Sequence, residues 1–585
     1  SLASSTWLRG RASCLRSRTP LGVQTSMIPV VFKSYKDEFP ATGYWDQDFV
    51  KMALRDVLWQ PVSGYDFHQV EDLEHVDDGC VLVIPAGSHA DKIDEINESI
   101  ARLRWVVLIL SSDEQSVFPV EQIEHPNKII YLMTPDFDKD LGNVDRYIGE
   151  GFPLQTDNAS ASLESEDASF DPSIDVFFSG QRTHRRRQEC LDAIEPMEIK
   201  KRLIATEGFA QGLDAEDYYN GIIDSRIVPC PSGPCTVDSF RFFETLELGR
   251  IPLADTLTPE GKGDRYWQRL FGQEELPFEV IRDWEHVGGN IMKVLANWRH
   301  YSNVCFAWWQ NYKRQFVYNL HEDVKLVSGV PAESNYLLDN LTVLVCTSPI
   351  RSHPSLAIIR ETLDSIRDRL PESEIIVMVD GIRPEQEYLR DQYERYTANL
   401  LWMINTEYEN VLPMVFEEHM HQTGMTREAL TKVKTPAILF VEHDTPLCGD
   451  IEFTGITEAV LSGAANVVRL HHETHILVEH EHMMLDTGPS DICGVPLMKT
   501  VQWSQRPHVS TKEFYERILH DHFSENARSM IEDVMHGVVH APYCDRGRAA
   551  WSDFKLWMYT PSVDDMKRST NLDGRGDEEK YGMVF

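Results

Sequence analysis

The sequence predicts an α/β protein made of three units in series. Three observations carry that expectation. Short apolar runs alternate with amphipathic helical patterns from Met27 onward, polar stretches divide those runs into groups, and several runs end abruptly on polar or acidic residues. Buried strands separated by helices of ten or more residues indicate βαβ units and parallel sheets.

The first unit, 27–165, shows "CVLVIP" (80–85), the amphipathic "ADKIDEINESIARL", "RWVVLILS" (104–111) and "NKIIYLM" (127–133). The polar "TDNASASLESEDASFDPS" (156–173) then reads as an exposed linker. A second unit, 166–332, resumes with "IDVFFSG" (174–180), "KRLIAT" (201–206), "SRIVPCP" (225–231) and "GRIPLADT" (249–256). The third, 333–560, opens on "LTVLVCTSP" (341–349). It continues through the helix "SLAIIRETLDSIRDRL", the strand "EIIVMVDG" (374–381), a helix near 427–434, "AILFVEHD" and the strand "NVVRLHH" (466–472). Residues 561–585, with "NLDGRGDEEKYG", read as a peripheral tail. The first 26 residues hold Arg and Ser but no acid. That composition suits a transit peptide or an upstream leader, and Met27 is the expected start.

A chain of 585 residues exceeds one core, and 42% hydrophobic with 25% charged residues is ordinary for a globular protein. No run approaches the roughly 18 apolar residues of a membrane span. A net charge of -37, from 93 acidic and 56 basic residues, repels a polyphosphate backbone overall. Ten scattered cysteines give no disulfide framework and fit a reduced compartment. Cys230 and Cys235 in "CPSGPC" lack a second pair and read as packing residues.

The chemistry concentrates in the third unit. One run leads into Thr347 and Ser348, another ends on Asp380-Gly381, and "AILFVEHDTPL" ends on Glu442-His443-Asp444. Parallel strands bring their carboxyl ends to one sheet edge, where open α/β sheets bind ligands. Clustered carboxylates repel one another unless a cation or a hydrogen-bonding ligand compensates. Mg²⁺ or Mn²⁺ suits such oxygen donors and takes one or two carboxylates plus substrate phosphates. A nucleoside-diphosphate ligand is therefore expected. Further on, "ARSMIEDVMHG" (527–537) carries Glu532-Asp533 on a helical pattern, and "QWSQRPHVS" (502–510) carries Trp503, Arg506 and His508. "RLHHETHILVEHEHMM" (469–484) holds five histidines without the spacing of a zinc peptidase, which leaves His471 as a candidate for lining an acceptor pocket. In the second unit, "PCPSGPCTVDSFRFFETLELGRIPLADT" (229–256) feeds a loop into a helix bearing Arg241 and Glu244. A helix N-terminus reached through such a loop favours phosphate. "FFSGQRTHRRR" (177–187) adds Arg182, His184 and Arg185.

The order strand, Asp-Gly, helix with Arg427, and strand into Glu-x-Asp resembles the family-two glycosyltransferases of GT-A fold. The resemblance implies a mixed α/β domain in which Asp444 is the metal-side ligand, Glu442 its companion and His536 a late ligand. It places Asp380 at the nucleoside, Thr347 on the donor side and Arg427 near the diphosphate. Asp533 would be the base of an inverting transfer, with Glu532 beside it, and Trp503, Arg506, His508 and His471 would face the acceptor. The usual triplet is Asp-x-Asp, and Glu442 departs from it. Segment 229–256 resembles the nucleotide-sugar half of an exostosin-like GT-B pair of Rossmann-like lobes, with Arg182, Arg185, Arg241 and Glu244 at the donor. The whole order is similar to two-domain glycosyltransferases of tailed bacteriophages, which implies a host bacterial cytoplasm. A virion protein or glycan hydroxyl is then the expected acceptor, ahead of a hydroxymethylated DNA base. A carbohydrate- or nucleotide-binding protein with a decayed transferase lobe is the alternative from another class.

Overall fold

A computed structural model describes residues 27–33, 45–55, 65–160, 163, 170–208, 212–331, 335–562 and 564–572; the expected leader lies outside them. The first sheet contains β1 (Met27–Phe32), β2 (Asp66–Val70), β3 (Gly79–Pro85), β4 (Trp105–Ser111), β5 (Lys128–Met133) and β6 (Arg146–Ile148). Their spatial order is β2-β1-β3-β4-β5-β6, and every pairing is parallel. All seven residues of β3 and of β4 are buried, as a strand covered on both faces requires. The second sheet contains β7 (Ile174–Gln181), β8 (Lys201–Thr206), β9 (Ser225–Cys230), β10 (Ile251–Asp255) and β11 (Glu279–Ile281). It too is parallel throughout, in the order β11-β10-β9-β7-β8.

The third sheet is mixed. It holds β12 (Leu341–Thr347), β13 (Ile375–Val379), β14 (Val411–Val415), β15 (Ala437–Glu442), β16 (Val467–Arg469), β17 (Ser490–Ile492), β18 (Val495–Lys499), β19 (His508–Thr511) and β20 (Leu556–Tyr559). The order is β14-β13-β12-β15-β19-β16-β20-β18-β17. The strands β14 to β15 in that order are parallel, and β19 lies antiparallel between β15 and β16. Register aligns Thr347 with Val379, Val379 with Val415, and Cys346 with Glu442, so these four strands end in one row.

A 31-residue helix, Trp298–Ser328, touches all three sheets. Its Asp323 accepts from Tyr131 at 2.7 Å and from Arg146 at 2.7 and 2.9 Å on the first sheet. Lys313 pairs at 2.7 Å with Glu247, which ends the helix Phe240–Glu247 beside the second sheet. Arg314 pairs with Glu374, and Asn311 donates to the Pro413 carbonyl, on the third.

Four features depart from the sequence reading. The polar stretch 156–173 begins helical, as Leu154–Ser160, with Thr156 and Ser160 buried. The helix expected near 427–434 starts earlier and spans His421–Leu430. The expected tail is not peripheral where it is described: Ser569 pairs with Leu447, Lys567 bridges His471, and Ser569 and Leu572 are buried. Cys230 packs in the core as expected, but Cys235 is exposed. No helix among the described residues is long and apolar enough to cross a membrane.

Candidate active site

Three carboxylates of the third sheet lie close enough to one buried thiol to act on it. The buried Cys346 thiol, near the end of β12, is held well above its ordinary range, first by burial and then by Glu442, Asp444 and Asp380 around it. Glu532 opens the helix Ile531–Arg546, and its charge also reaches Glu442. Gln422 ties the elements together: its Nε2 donates to Glu442 Oε1 at 2.7 Å, and its Oε1 accepts from the Ile531 amide at 3.3 Å. Asp533, exposed in the first turn of the same helix, acts on His421.

Glu442 is pushed up to about 8 by burial, by Asp444 and then by Glu532. Burial and crowded like charges thus disfavour its ionised form. Between the ordinary carboxyl value of 4.5 and about 8, the folded chain binds a proton that the unfolded chain lacks, so stability falls as pH rises across that window. Glu442→Gln is expected to melt like the native protein at pH 4 and to be more stable at pH 8, by roughly 1–3 kcal/mol. Thermal melts across pH check this, and parallel curves would remove the raised carboxyl.

Asp380 is spent on its own loop. It is 3% exposed and accepts from the amides of Gly381 (2.9 Å), Met420 (2.6 Å) and His421 (3.2 Å), with His419 Nδ1 at 2.9 Å. Burial, the largest influence, still holds its carboxyl above the usual range. Gly381 is required beside it, because a β-carbon there would collide with the Glu418 backbone. Asp380, expected at the nucleoside, fixes the 418–421 loop against the strand ends. That loop was missed in the sequence, although its signal, "EEHMHQ" directly after a parallel strand, was present.

Other expected site residues turn inward. The Thr347 hydroxyl bonds Tyr396 at 2.8 Å within the core. Arg427 donates to the carbonyls of Glu525, Leu519 and Ser524 and so caps a neighbouring helix end, not a diphosphate. Trp503, 2% exposed, packs against Phe514 and Tyr515. His508 is fully buried between Phe440 and Tyr515, bonds the Tyr515 hydroxyl at 2.5 Å, and is pushed down to about 4 by burial. Neither can serve as an acceptor platform. His536 stacks on His540 along its own helix. Among the described residues, no set of three or more His, Cys, Asp or Glu is arranged to hold a metal ion, so His536 does not complete a ligand set. The donors still fit a divalent ion in the sparse manner of Mg²⁺, through Asp444 with Glu442 and the remaining positions from phosphate oxygens and water.

A second polar cluster lies where the first and second sheets face each other. The loop after β4 brings Glu114 to Arg187, and Phe137, beyond β5, meets Tyr266. Arg187 Nε, Arg241 Nε and Nη1, Ser112 Oγ, Thr134 Oγ1 and Ser232 Oγ are buried without a hydrogen-bond partner. Burial and then Arg241 push Arg187 down to about 10. Arg241 lies over Phe178 and donates to the Ser179 carbonyl at 2.9 Å, passing Gly180 so closely that any β-carbon would clash. Glu244 accepts from Tyr218 at 2.7 Å and Tyr219 at 3.2 Å. By contrast, Arg182 pairs with Asp192, and Arg185 pairs with Glu189 at the surface. Among the arginines of this segment, Arg187 leaves its Nε buried without a partner, whereas Arg182 and Arg185, expected at the donor, are paired with carboxylates. Arg186 beside it is consumed by the buried Asp255.

No family model matches the chain, and no curated protein is similar to it. Among solved structures it is similar to the mannosyltransferase PcManGT from Pyrobaculum calidifontis in complex with GDP-Man and Mn²⁺, at 12% identity and TM-score 0.26, over 41% of this chain and 59% of that one. It is similar to S. aureus TarS 1-349 in complex with UDP at 12% identity and TM-score 0.24, over 40% and 60%. It is also similar to 4-diphosphocytidyl-2C-methyl-D-erythritol synthase from Anaerococcus prevotii, at 16% identity and TM-score 0.23, over 40% and 94%. This chain thus spans about three fifths of the first two. Likenesses this distant bear on no chemistry. What the molecule itself defines is an α/β protein of two parallel sheets and one mixed sheet, with carboxylates gathered at the mixed sheet's carboxyl edge.

Proposed function

We propose that the protein is a glycosyltransferase whose C-terminal unit moves a sugar from a nucleotide-sugar to an acceptor hydroxyl. The arrangement that supports this most is Glu442 and Asp444 at the end of β15, with Glu532 brought from the helix Ile531–Arg546 close enough to act on Glu442 and Gln422 bridging the two elements. Asp533 accepts the proton of the acceptor hydroxyl as its oxygen bonds the anomeric carbon and the bond to the diphosphate breaks, which inverts that carbon. Glu532 stands beside it. Asp380 keeps the 418–421 loop in place, and Asp444 with Glu442 would hold the divalent ion. When bound there, Mn²⁺ or Mg²⁺ stabilises the departing diphosphate as a Lewis acid.

A second reading concerns the N-terminal cleft. The partnerless Arg187, Arg241, Ser112, Thr134 and Ser232 favour a bound nucleoside diphosphate there too, with Glu244 close by, so the chain would carry two donor sites. The net charge of -37 favours a protein or glycan acceptor over duplex DNA, and a virion protein is the acceptor we propose.

Calorimetry with GDP- and UDP-sugars, with and without Mn²⁺, tests the reading. Binding strengthened by Mn²⁺ is expected, with Asp444→Ala losing at least tenfold of that gain and Arg241→Gln losing only a separate, metal-independent component. Sugar-nucleotide turnover that survives Asp444→Ala unchanged would remove the metal assignment. Binding without transfer to any candidate acceptor would favour a recognition protein.

A further inference from the structure

A basic cluster, which includes the acceptor candidates Arg506 and His471, shares the carboxyl edge of the third sheet with Arg469. Arg469 ends β16, opposite His508 of the antiparallel β19, and Arg506 lies two residues ahead of His508. Arg469 is 3% exposed and forms no ion pair among the described residues. Its Nη1 donates to Gln502 Oε1 at 2.7 Å, its Nη2 faces the Met558 sulfur at 3.5 Å, and its Nε is buried with no partner. Arg506 is half-buried and donates from Nη1 to His471 Nδ1 at 2.7 Å. The His471 ring then carries its proton on Nε2, which donates to the His475 carbonyl at 3.1 Å. Glu473 approaches Arg506 only to 4.0 Å, and its side chain is 43% exposed.

Burial and the neighbouring guanidiniums push His471 down to about 4 and His472 down to about 3, so both imidazoles are neutral. The positive charge of the cluster is therefore the two guanidiniums. Burial and Arg506 push Arg469 down to about 9, and Glu532 is the carboxylate whose field reaches both arginines. A buried guanidinium with no carboxylate is costly, and its fork of donors matches an oxyanion. Position narrows the source of that oxyanion. Sheet order sets β16 two strands beyond β15, about 10 Å at ordinary strand spacing, on the side away from β12 and β13. Glu532 accepts from the Gln505 amide at 3.2 Å, which ties the arginine cluster to the helix that also carries Asp533.

We propose that Arg469 and Arg506 form an acceptor subsite for an oxyanion, so that the acceptor carries a phosphate or carboxylate near the hydroxyl that receives the sugar. The word acceptor rests on the transferase reading; the oxyanion site does not. The test is calorimetry on the full chain with glycerol 3-phosphate, glycerate and uncharged glycerol, and separately with UDP and GDP. One or both charged probes should bind and glycerol should not. Arg506→Gln should weaken the charged probe at least tenfold and leave nucleotide affinity within twofold. Arg469→Gln should do the same, but the half-buried Arg506 keeps the test valid if that variant fails to fold. Equal behaviour of all three probes, or anion binding unchanged in Arg506→Gln, overturns the proposal. A loss of nucleotide affinity in its place assigns the arginines to the donor diphosphate and also overturns it. If the native chain binds a charged probe through Arg506 but binds no nucleotide, the transferase reading falls and the oxyanion site stands. If it binds nucleotide but neither charged probe, this proposal alone falls.

Discussion

Exchanging Asp533 for asparagine is expected to lower sugar transfer by about 100- to 10,000-fold, the usual worth of a positioned proton acceptor. Donor affinity should hold, because the change keeps size and shape and the side chain is exposed in a first helical turn. A structural role would not produce that split between turnover and binding. Comparable turnover in both proteins would return the base to another group, with Glu532 the next to exchange. Its charge already reaches Glu442 and both arginines of the oxyanion cluster, so its loss should also disturb binding.

The largest expected effect on stability lies at a buried ion pair between the long helix and the helix Phe240–Glu247. Lys313 and Glu247 are 1% and 2% exposed, 2.7 Å apart, and Trp309 Nε1 donates to the same Glu247 oxygen at 2.6 Å. Lys313→Met would strand a buried carboxylate and should cost about 3–5 kcal/mol. Removing both charges in Lys313→Met with Glu247→Leu should recover much of that loss, because desolvation offsets most of what such a pair gains. Thermal melts of the native chain, the single variant and the double variant decide it. A single variant as stable as the native chain would mean that water reaches the pair.

Strands buried on both faces were legible as unbroken apolar runs, so β3, β4, β9, β12 and β15 lie within a residue or two of their expected places. The short or polar β2, β6 and β11 carry no such run and show no signal; β1, "MIPVVF", is apolar throughout but stands at the expected start, with no helical pattern ahead of it. The helix Trp298–Ser328 escaped notice for a related reason. Packed by three sheets, it buries Asn303, Gln310, Lys313 and Asp323 along with its aromatic residues, which leaves no single apolar stripe at helical period. At the candidate site, the position of the acidic strand end was legible because an apolar run that stops on Glu-x-Asp marks where a buried parallel strand leaves the sheet. Trp503, His508 and Arg427 were not, because residue type alone does not distinguish a polar group facing a ligand from one satisfied inside the core. The same ambiguity separated Arg187 from Arg182 and Arg185, which lie within one short segment.

The helix that touches every sheet also bears on how this chain can be divided. Severing the polypeptide near residue 332 would hand the helix to the N-terminal fragment and leave its flank against β14 uncovered. The other fragment would lose the wall that Arg314 and Asn311 secure. Any donor pocket in one half and acceptor pocket in another are consequently properties of a single indivisible body, inherited and lost together.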